Sequence, residues 1–182
     1  MLIKDILQKG NDNENSILAC ISILLLIGLD QFVKFLITSH MALYDTKPVI
    51  KQVFHITYIQ NKGAAWGSLQ GKRYFLLAIT ILVLAFLVYF YVRMLKLNKY
   101  KDLRILFIFV FSGAAGNMID RIRLGYVIDM FDFRLINFPV FNVADIYVTC
   151  SMIILLVFIL FKYKDNELDD LFGKSKKDSK QE

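Results

Sequence analysis

Four long apolar runs separated by polar joints organise this chain, at about Ser16 to Ile37, Tyr74 to Val92, Leu103 to Ile119 and Phe141 to Phe161. Each approaches the roughly 20 residues that a helix needs to cross about 30 Å of hydrocarbon at 1.5 Å per residue, so the pattern predicts four transmembrane helices. Only the second run is uninterrupted. The others carry polar groups within or beside one end, among them Asp30, Lys34, Asn117, Asp120, Arg121, Asn142 and Asp145. An ionisable side chain costs roughly 2.5 to 3.5 kcal/mol at the centre of a span and persists mostly where it does something.

Between the runs the pattern changes. Val49 to Gln60, preceded by Pro48, is rich in Val, Ile, Phe, Thr and Tyr and reads as strand. It leads into Asn61-Lys62-Gly63-Ala64-Ala65-Trp66-Gly67, where glycines bracketing small residues suit close backbone approach and Trp66 suits a membrane interface. A plain turn with an interfacial anchor would read the same. Asp129 and Asp132 sit within Tyr126 to Phe133, an otherwise apolar stretch in which a carboxylate is open to desolvation. An amphipathic element lying on the membrane shares that pattern.

At 182 residues and 57% hydrophobic, the chain is too apolar for an ordinary soluble protein. It divides into a membrane domain over residues 1–165 and a charged cytoplasmic tail over 166–182. The tail's nearly balanced charges read as a solvated, partly disordered end. Lys and Arg exceed Asp and Glu by 22 to 16, yet nothing resembles a nucleic-acid-reading motif, so the excess is a topology signal. Cys20 and Cys150 read as buried free thiols within spans. Cys20 precedes its apolar run, which excludes a lipoprotein processing site, and the first span lacks a small-x-small cleavage pattern, so it should be retained.

Arg93, Lys96, Lys99, Lys101 and Arg104 mark the joint between the second and third runs as cytoplasmic, which puts both termini in the cytoplasm. In that orientation Asp30 and Asn117 lie far along outward-running spans, and Asn142 and Asp145 open an inward-running one. The loops Thr38 to Arg73 and Arg121 to Val140 are also outside. All the costly polar residues therefore converge on one layer near the outer surface. Within it Asp30 and Lys34, Asn117 with Asp120 and with Arg121, and Asn142 and Asp145 are spaced three or four apart, sharing helix faces.

The chemistry open to this layer is narrow. His40 and His55 are the only histidines and neither lies in it, while Ser112 has no base nearby in sequence, so a nucleophilic triad is poorly supported. No His or Cys pattern suits a metal, and no cofactor is implied. Paired carboxylates remain: two neighbouring Asp residues sharing one proton can activate water and protonate a leaving amine. A proton or ion path and a hydrogen-bonded helix scaffold are the competing readings. A transporter would spread polar groups toward the midplane, whereas these gather at one face. Composition and spacing do not choose between Asp120 and Asp129.

Five segments in order resemble the bacterial lipoprotein signal peptidases, or signal peptidase II family: Asp30-Gln31-Phe32-Val33-Lys34, Asn61 to Gly67, Gly113 to Arg121, Gly125 to Phe131 and Phe138 to Asp145. The resemblance implies an all-α membrane protein of four transmembrane helices with a small extracytoplasmic β-containing cradle. It further implies a multi-pass enzyme of the bacterial inner membrane whose active site lies at the extracytoplasmic face. Its expected activity is aspartic endopeptidase action on prolipoproteins carrying diacylglycerol on the cysteine at the cut, without metal or cofactor. Its expected partners are those substrates and membrane lipid, with no nucleic acid, and the enzyme is expected to be a monomer. By position in the family pattern Asp129 and Asp145 are the catalytic pair. Asp30, Lys34, Asn61, Gly63, Asn117, Asp120, Arg121 and Asn142 match positions that bind substrate or support the pair. Two departures are visible: Ile146 stands where the family commonly has a small hydroxyl residue, and Ala115 where Leu is frequent.

Overall fold

The computed structural model describes residues 2–63, 69–97, 100–163 and 168–172, with side chains from residue 14 onward. Helix α1 (Leu2–His40) leads into strands β1 (Thr46–Ile50) and β2 (Phe54–Asn61). Helices α2 (Arg73–Lys96) and α3 (Lys101–Arg123), strand β3 (Val127–Phe133), a 3-10 turn (Arg134–Ile136) and helix α4 (Val143–Val157) follow. Helix α4 continues as a π-helical turn over Phe158–Lys162, and a short helix α5 (Asp169–Phe172) ends the described chain.

Among the described residues, four helical stretches are long and apolar enough to cross a membrane: Glu14–His40, Arg73–Lys96, Lys101–Arg123 and Val143–Lys162. They coincide with the four expected runs, the first three extending them at both ends and the fourth starting two residues late at Val143 because Asn142 caps the helix. Hydropathy marks the greasy centre of a helix while local capping decides its ends. Helix α3 is the hub, packed against α1, α2 and α4. Small residues make this closeness possible. A Cβ on Gly113 would collide with the Ala144 carbonyl oxygen, and one on Gly116 would stand 2.6 Å from an Asp30 carboxylate oxygen. In lipid, where water supplies no drive between helices, such close backbone contact is the usual means of association.

The strands form one antiparallel sheet in the order β1-β2-β3 at one end of the bundle, here called the sheet end. The continuous strand expected over Val49 to Gln60 is instead a hairpin: the chain turns at Lys51-Gln52-Val53, with Gln52 at φ 62°. No Gly or Asn marks this turn, so composition alone runs the two strands together. The stretch around Asp129 is strand β3. Gly125, at φ 84°, stops α3 and turns the chain into it, with its N–H and that of Leu124 closing on the carbonyls of Arg121 and Asp120.

Two apolar clusters tie the elements together. Met41, Tyr58, Ile128 and Met130 join α1 to the sheet. At the opposite end Met94, Tyr100, Leu103 and Leu106 pack with Leu171 of α5. That last contact corrects the reading of a solvated end for residues 168–172. Leu171 is buried, Phe172 meets Phe90 and Arg93 donates twice to the Asp170 carbonyl, because the apolar side chains of this stretch find an apolar surface left open by α2 and α3. The remaining tail expectation, on residues 166–167 and 173–182, lies outside the described residues. Cys20 and Cys150 are free, as expected, but exposed on the helix surface, since a lipid-facing position needs no protein cover.

Candidate active site

The capping of α4 builds the site. Asn142 is its N-cap, with an extended backbone, and the Asn142 side chain accepts from the Asp145 N–H at 3.0 Å. Asp145 returns the contact, accepting from the Asn142 N–H at 3.1 Å. This reciprocal box fixes a carboxylate in the first turn of the helix, where the positive end of the backbone dipole also favours it. Strand β3 is drawn to the same point, since the N–H groups of Met130 and Phe131 donate to the Phe141 carbonyl and Phe141 donates back to Phe131.

Asp129 therefore arrives beside Asn142. Its two carboxylate oxygens accept from Asn142 Nδ2 at 2.7 Å and Asn61 Nδ2 at 3.0 Å. Asp145 accepts in turn from Asn117 Nδ2 at 2.8 Å, and Asn117 Oδ1 accepts from Asn142 Nδ2 at 3.0 Å. Asn142, fully buried, thus touches both carboxylates and Asn117. Amides hold the carboxylates in place without competing for a proton, because they do not titrate.

Burial lifts the pKa of Asp129 to about 7 with help from the negative charge of Asp145, against the pull of Asn61, Asn142 and Lys34. Asp132, on the same strand, goes the other way. Burial pushes it up, but hydrogen bonds from Arg134 and Thr57 outweigh that and hold it below the usual carboxylate range. One strand thus carries a carboxyl poised near neutrality and one committed to its charge.

Beneath the pair lies a second polar layer. Lys34, 1% exposed, meets Asp30 at 2.9 Å, Asp120 at 2.8 Å and Asn117 Oδ1 at 3.0 Å. Asp30 also accepts from the Ala144 N–H at the start of α4, and Asp120 from the Ile128 N–H of β3. Arg121 adjoins Asp120 in the chain, but the ion pair goes to Lys34. Adjacent residues on a helix point about 100° apart, and Lys34 reaches Asp120 from α1. Arg121 instead donates to the Gly63 carbonyl at 3.2 Å, and Gly63 donates to Asn61 Oδ1 at 2.9 Å.

All ten residues singled out from the sequence are thus connected here, while Ala64 to Gly67 lie outside the described residues. Gln31 received no role and has one: its amide donates to Asp30, Asp120 and the Gly116 carbonyl at 3.2, 2.9 and 3.3 Å. Its place between Asp30 and Lys34 was the available signal. Asp129, Asp145, Asn61, Asn117 and Arg121 line an open cavity of about 1450 Å³, and Ile146 stands in its wall next to Asp145.

This geometry has recognisable relatives. The sequence model of the family described as Signal peptidase (SPase) II matches residues 22–161. Lipoprotein signal peptidases of Streptococcus pyogenes serotypes M6 and M1 are 46% and 45% identical over 145 residues, covering 80% of this chain and 93% of theirs. Two solved structures described as a bacterial membrane enzyme, at 2.3 and 1.9 Å resolution, superpose with TM-scores of 0.72 and 0.70 at 34% identity. They cover 82% and 80% of this chain, and 93% and 94% of their own. A match over most of both lengths, on a multi-pass fold that gathers buried carboxylates at one end, leads to one assignment: the chain belongs to the signal peptidase II family of lipoprotein signal peptidases.

Proposed function

We propose that the chain is an aspartyl endopeptidase that removes the signal peptide from diacylglyceryl-modified prolipoproteins. In this reading it cuts before the lipidated cysteine with water activated between Asp129 and Asp145. The observation that carries it is the pair: two carboxylates from different elements, Asp129 buried and Asp145 half-buried, both bonded to Asn142, at the wall of one open cavity. With the Asp129 pKa near 7, about half of the molecules hold the proton on Asp129 at neutral pH, and these carry the protonated partner that the reaction needs. The ionised carboxylate takes a proton from water as its oxygen bonds to the scissile carbonyl carbon. The protonated one gives its proton to the amide nitrogen as the C–N bond breaks. The pair ends with one proton, as it began, and no covalent intermediate forms.

Asn61, Asn117 and Asn142 orient the carboxylates, and Gly63 holds Arg121 toward the cavity. Asp30, Lys34 and Asp120 support that layer by joining α1, α3, β3 and the start of α4. Both carboxylates come from one chain, so the reaction needs no second copy. The basic residues Arg93, Lys96, Lys101 and Arg104 assign the far end of the bundle to the cytoplasm. The sheet end and its cavity are then extracytoplasmic, and a substrate's lipid stays in the bilayer while its scissile bond reaches water. Reporter fusions at Leu97 and Asp45 should report opposite sides of the membrane, and labelling of both from outside would reject this orientation.

The direct test is cleavage of a purified diacylglyceryl-modified prolipoprotein beside its unmodified form, with a strong chelator present. The expected result is a cut before the cysteine in the lipidated substrate alone. Loss of activity on chelation, restored by zinc, would overturn the carboxylate mechanism.

A further inference from the structure

A second amide joins the helices in the layer beneath Asn142. Gln31, next to Asp30 on α1, points its Nε2 at three acceptors: Asp30 Oδ2 at 3.2 Å, Asp120 Oδ1 at 2.9 Å and the Gly116 carbonyl at 3.3 Å. Carboxylate and carbonyl oxygens only accept, so the amide turns its nitrogen toward them and shares its two hydrogens among the three. Lys34 meets the same two carboxylates at 2.9 and 2.8 Å. One ammonium then serves two carboxylates that are 0% and 2% exposed, and a buried charge short of donors is costly. Gln31 supplies the missing donors and adds no charge.

The other contacts of these two carboxylates give the layer its purpose. Asp30 Oδ1 accepts from the Ala144 N–H at 3.0 Å, and Asp120 Oδ2 accepts from the Ile128 N–H at 3.3 Å. Ala144 immediately precedes Asp145, and Ile128 immediately precedes Asp129. Each lower carboxylate thus grips the main chain one Cα step, about 3.8 Å, before one member of the pair. The Ala144 N–H lies in the first turn of α4, where backbone donors have no acceptor within the helix, so Asp30 is its natural partner. The two grips fall on separate elements, α4 and β3, and Gln31 and Lys34 of α1 tie them to each other. Bonds that merely glued helices together would serve as well anywhere along the packed faces. These fall where a backbone shift carries a carboxylate of the pair with it.

We infer that Gln31 is a positioning residue: with Lys34 it clamps the Ile128 and Ala144 backbones at a fixed spacing and so sets the separation of Asp129 and Asp145. Asn142 bridges the two carboxylates themselves, and Gln31 fixes how far apart the main chains that carry them stand. A water activated between two carboxylates has to touch both. A pair whose spacing is slack still binds substrate but turns it over slowly, since misplacing reacting groups by about 1 Å costs on the order of 10² in rate. This consequence for turnover rests on the peptidase reading; the clamp on the backbone does not.

The test compares wild type with Gln31→Met, which keeps the length of the side chain and loses its donors, and with Gln31→Asn, which keeps the amide on a shorter arm. Full-length protein in detergent is assayed on a purified diacylglyceryl-modified prolipoprotein, with rates counted per folded molecule. In both variants kcat should fall about tenfold or more while KM stays within about twofold of wild type. Crystal structures of wild type and Gln31→Met should show the Ile128 and Ala144 backbones displaced relative to each other by about 0.5 Å or more. An amide that only glues the helices would lower the melting midpoint and leave kcat per folded molecule at the wild-type value, which would overturn the proposal. So would a raised KM with unchanged kcat, an unchanged backbone spacing, or loss of the folded protein in both variants. A wild type that never cuts would instead reject the function proposed above, and the spacing in the two crystal structures would still decide the clamp.

Discussion

The two ends of the bundle are built from opposite materials. At the far end, Met94, Tyr100, Leu103, Leu106 and Leu171 form an apolar cluster of the kind found in any helical protein. At the sheet end the buried side chains include Asp30, Lys34, Asp120, Asp129 and Asn142. A buried ion network does little for net stability, since desolvation offsets much of the Coulomb attraction and an apolar replacement of similar shape is often as stable. The far end shows that this chain can close a bundle with apolar packing. The polar end therefore calls for a reason other than stability, and catalysis supplies one.

The largest effect should fall on turnover. Asp129→Asn and Asp145→Asn should each lower single-turnover cleavage per folded molecule by at least the roughly 10² to 10⁴ typical of lost acid–base catalysis. In the proposed mechanism the two carboxylates act as a unit, so the double substitution should be little worse than either single one. Multiplying losses would separate their roles.

Next comes stability at the polar end. Lys34→Met leaves Asp30 and Asp120 buried without their cation and should cost about 3 to 5 kcal/mol, read as a lower melting midpoint in detergent. Asp120→Asn keeps the Lys34–Asp30 pair and should cost less, with more effect on melting than on the rate of the molecules that remain folded. Normal melting with abolished cleavage in Asp120→Asn would move the catalytic assignment from Asp129 to Asp120.

The pH dependence sharpens the contrast between the ends. Because the folded pKa of Asp129 lies near 7 and the ordinary value is 3.8, the folded state holds a proton that the unfolded chain releases between those values. Stability from this group is greatest below pH 3.8 and is lost as pH rises toward 7, by up to about 4 kcal/mol across the window. Asp129→Asn should flatten that part of a melting-versus-pH curve. Wild-type cleavage should also decline above neutrality as the pair loses its shared proton.

The smallest effect belongs to the apolar end. Leu171→Ala should cost about 2 kcal/mol, at the low end for a buried Leu because α5 is short and its contacts are few to lose. Cleavage per folded molecule should stay unchanged. A drop in turnover would mean that the ends are coupled.

How far each feature was legible follows from its physics. The four spans are written in the chain because hydrocarbon thickness sets a length and apolarity that local sequence must satisfy. The polar layer was visible for the same reason, charge being costly there. The hairpin was hidden because its turn at Gln52 uses a residue with no turn preference. The docked α5 was hidden because a few apolar residues in a charged tail signal nothing until a complementary surface exists.

Composition, span count and the presence of a costly polar layer were thus settled by local constraints that each stretch of sequence carries by itself. Partner choice was decided only in three dimensions. Lys34 pairs with Asp120 from another helix, and Asn142 bridges a strand and a helix joined by an irregular loop. Such contacts depend on how helices rotate and strands register, which the packing of the whole chain determines and no single segment encodes.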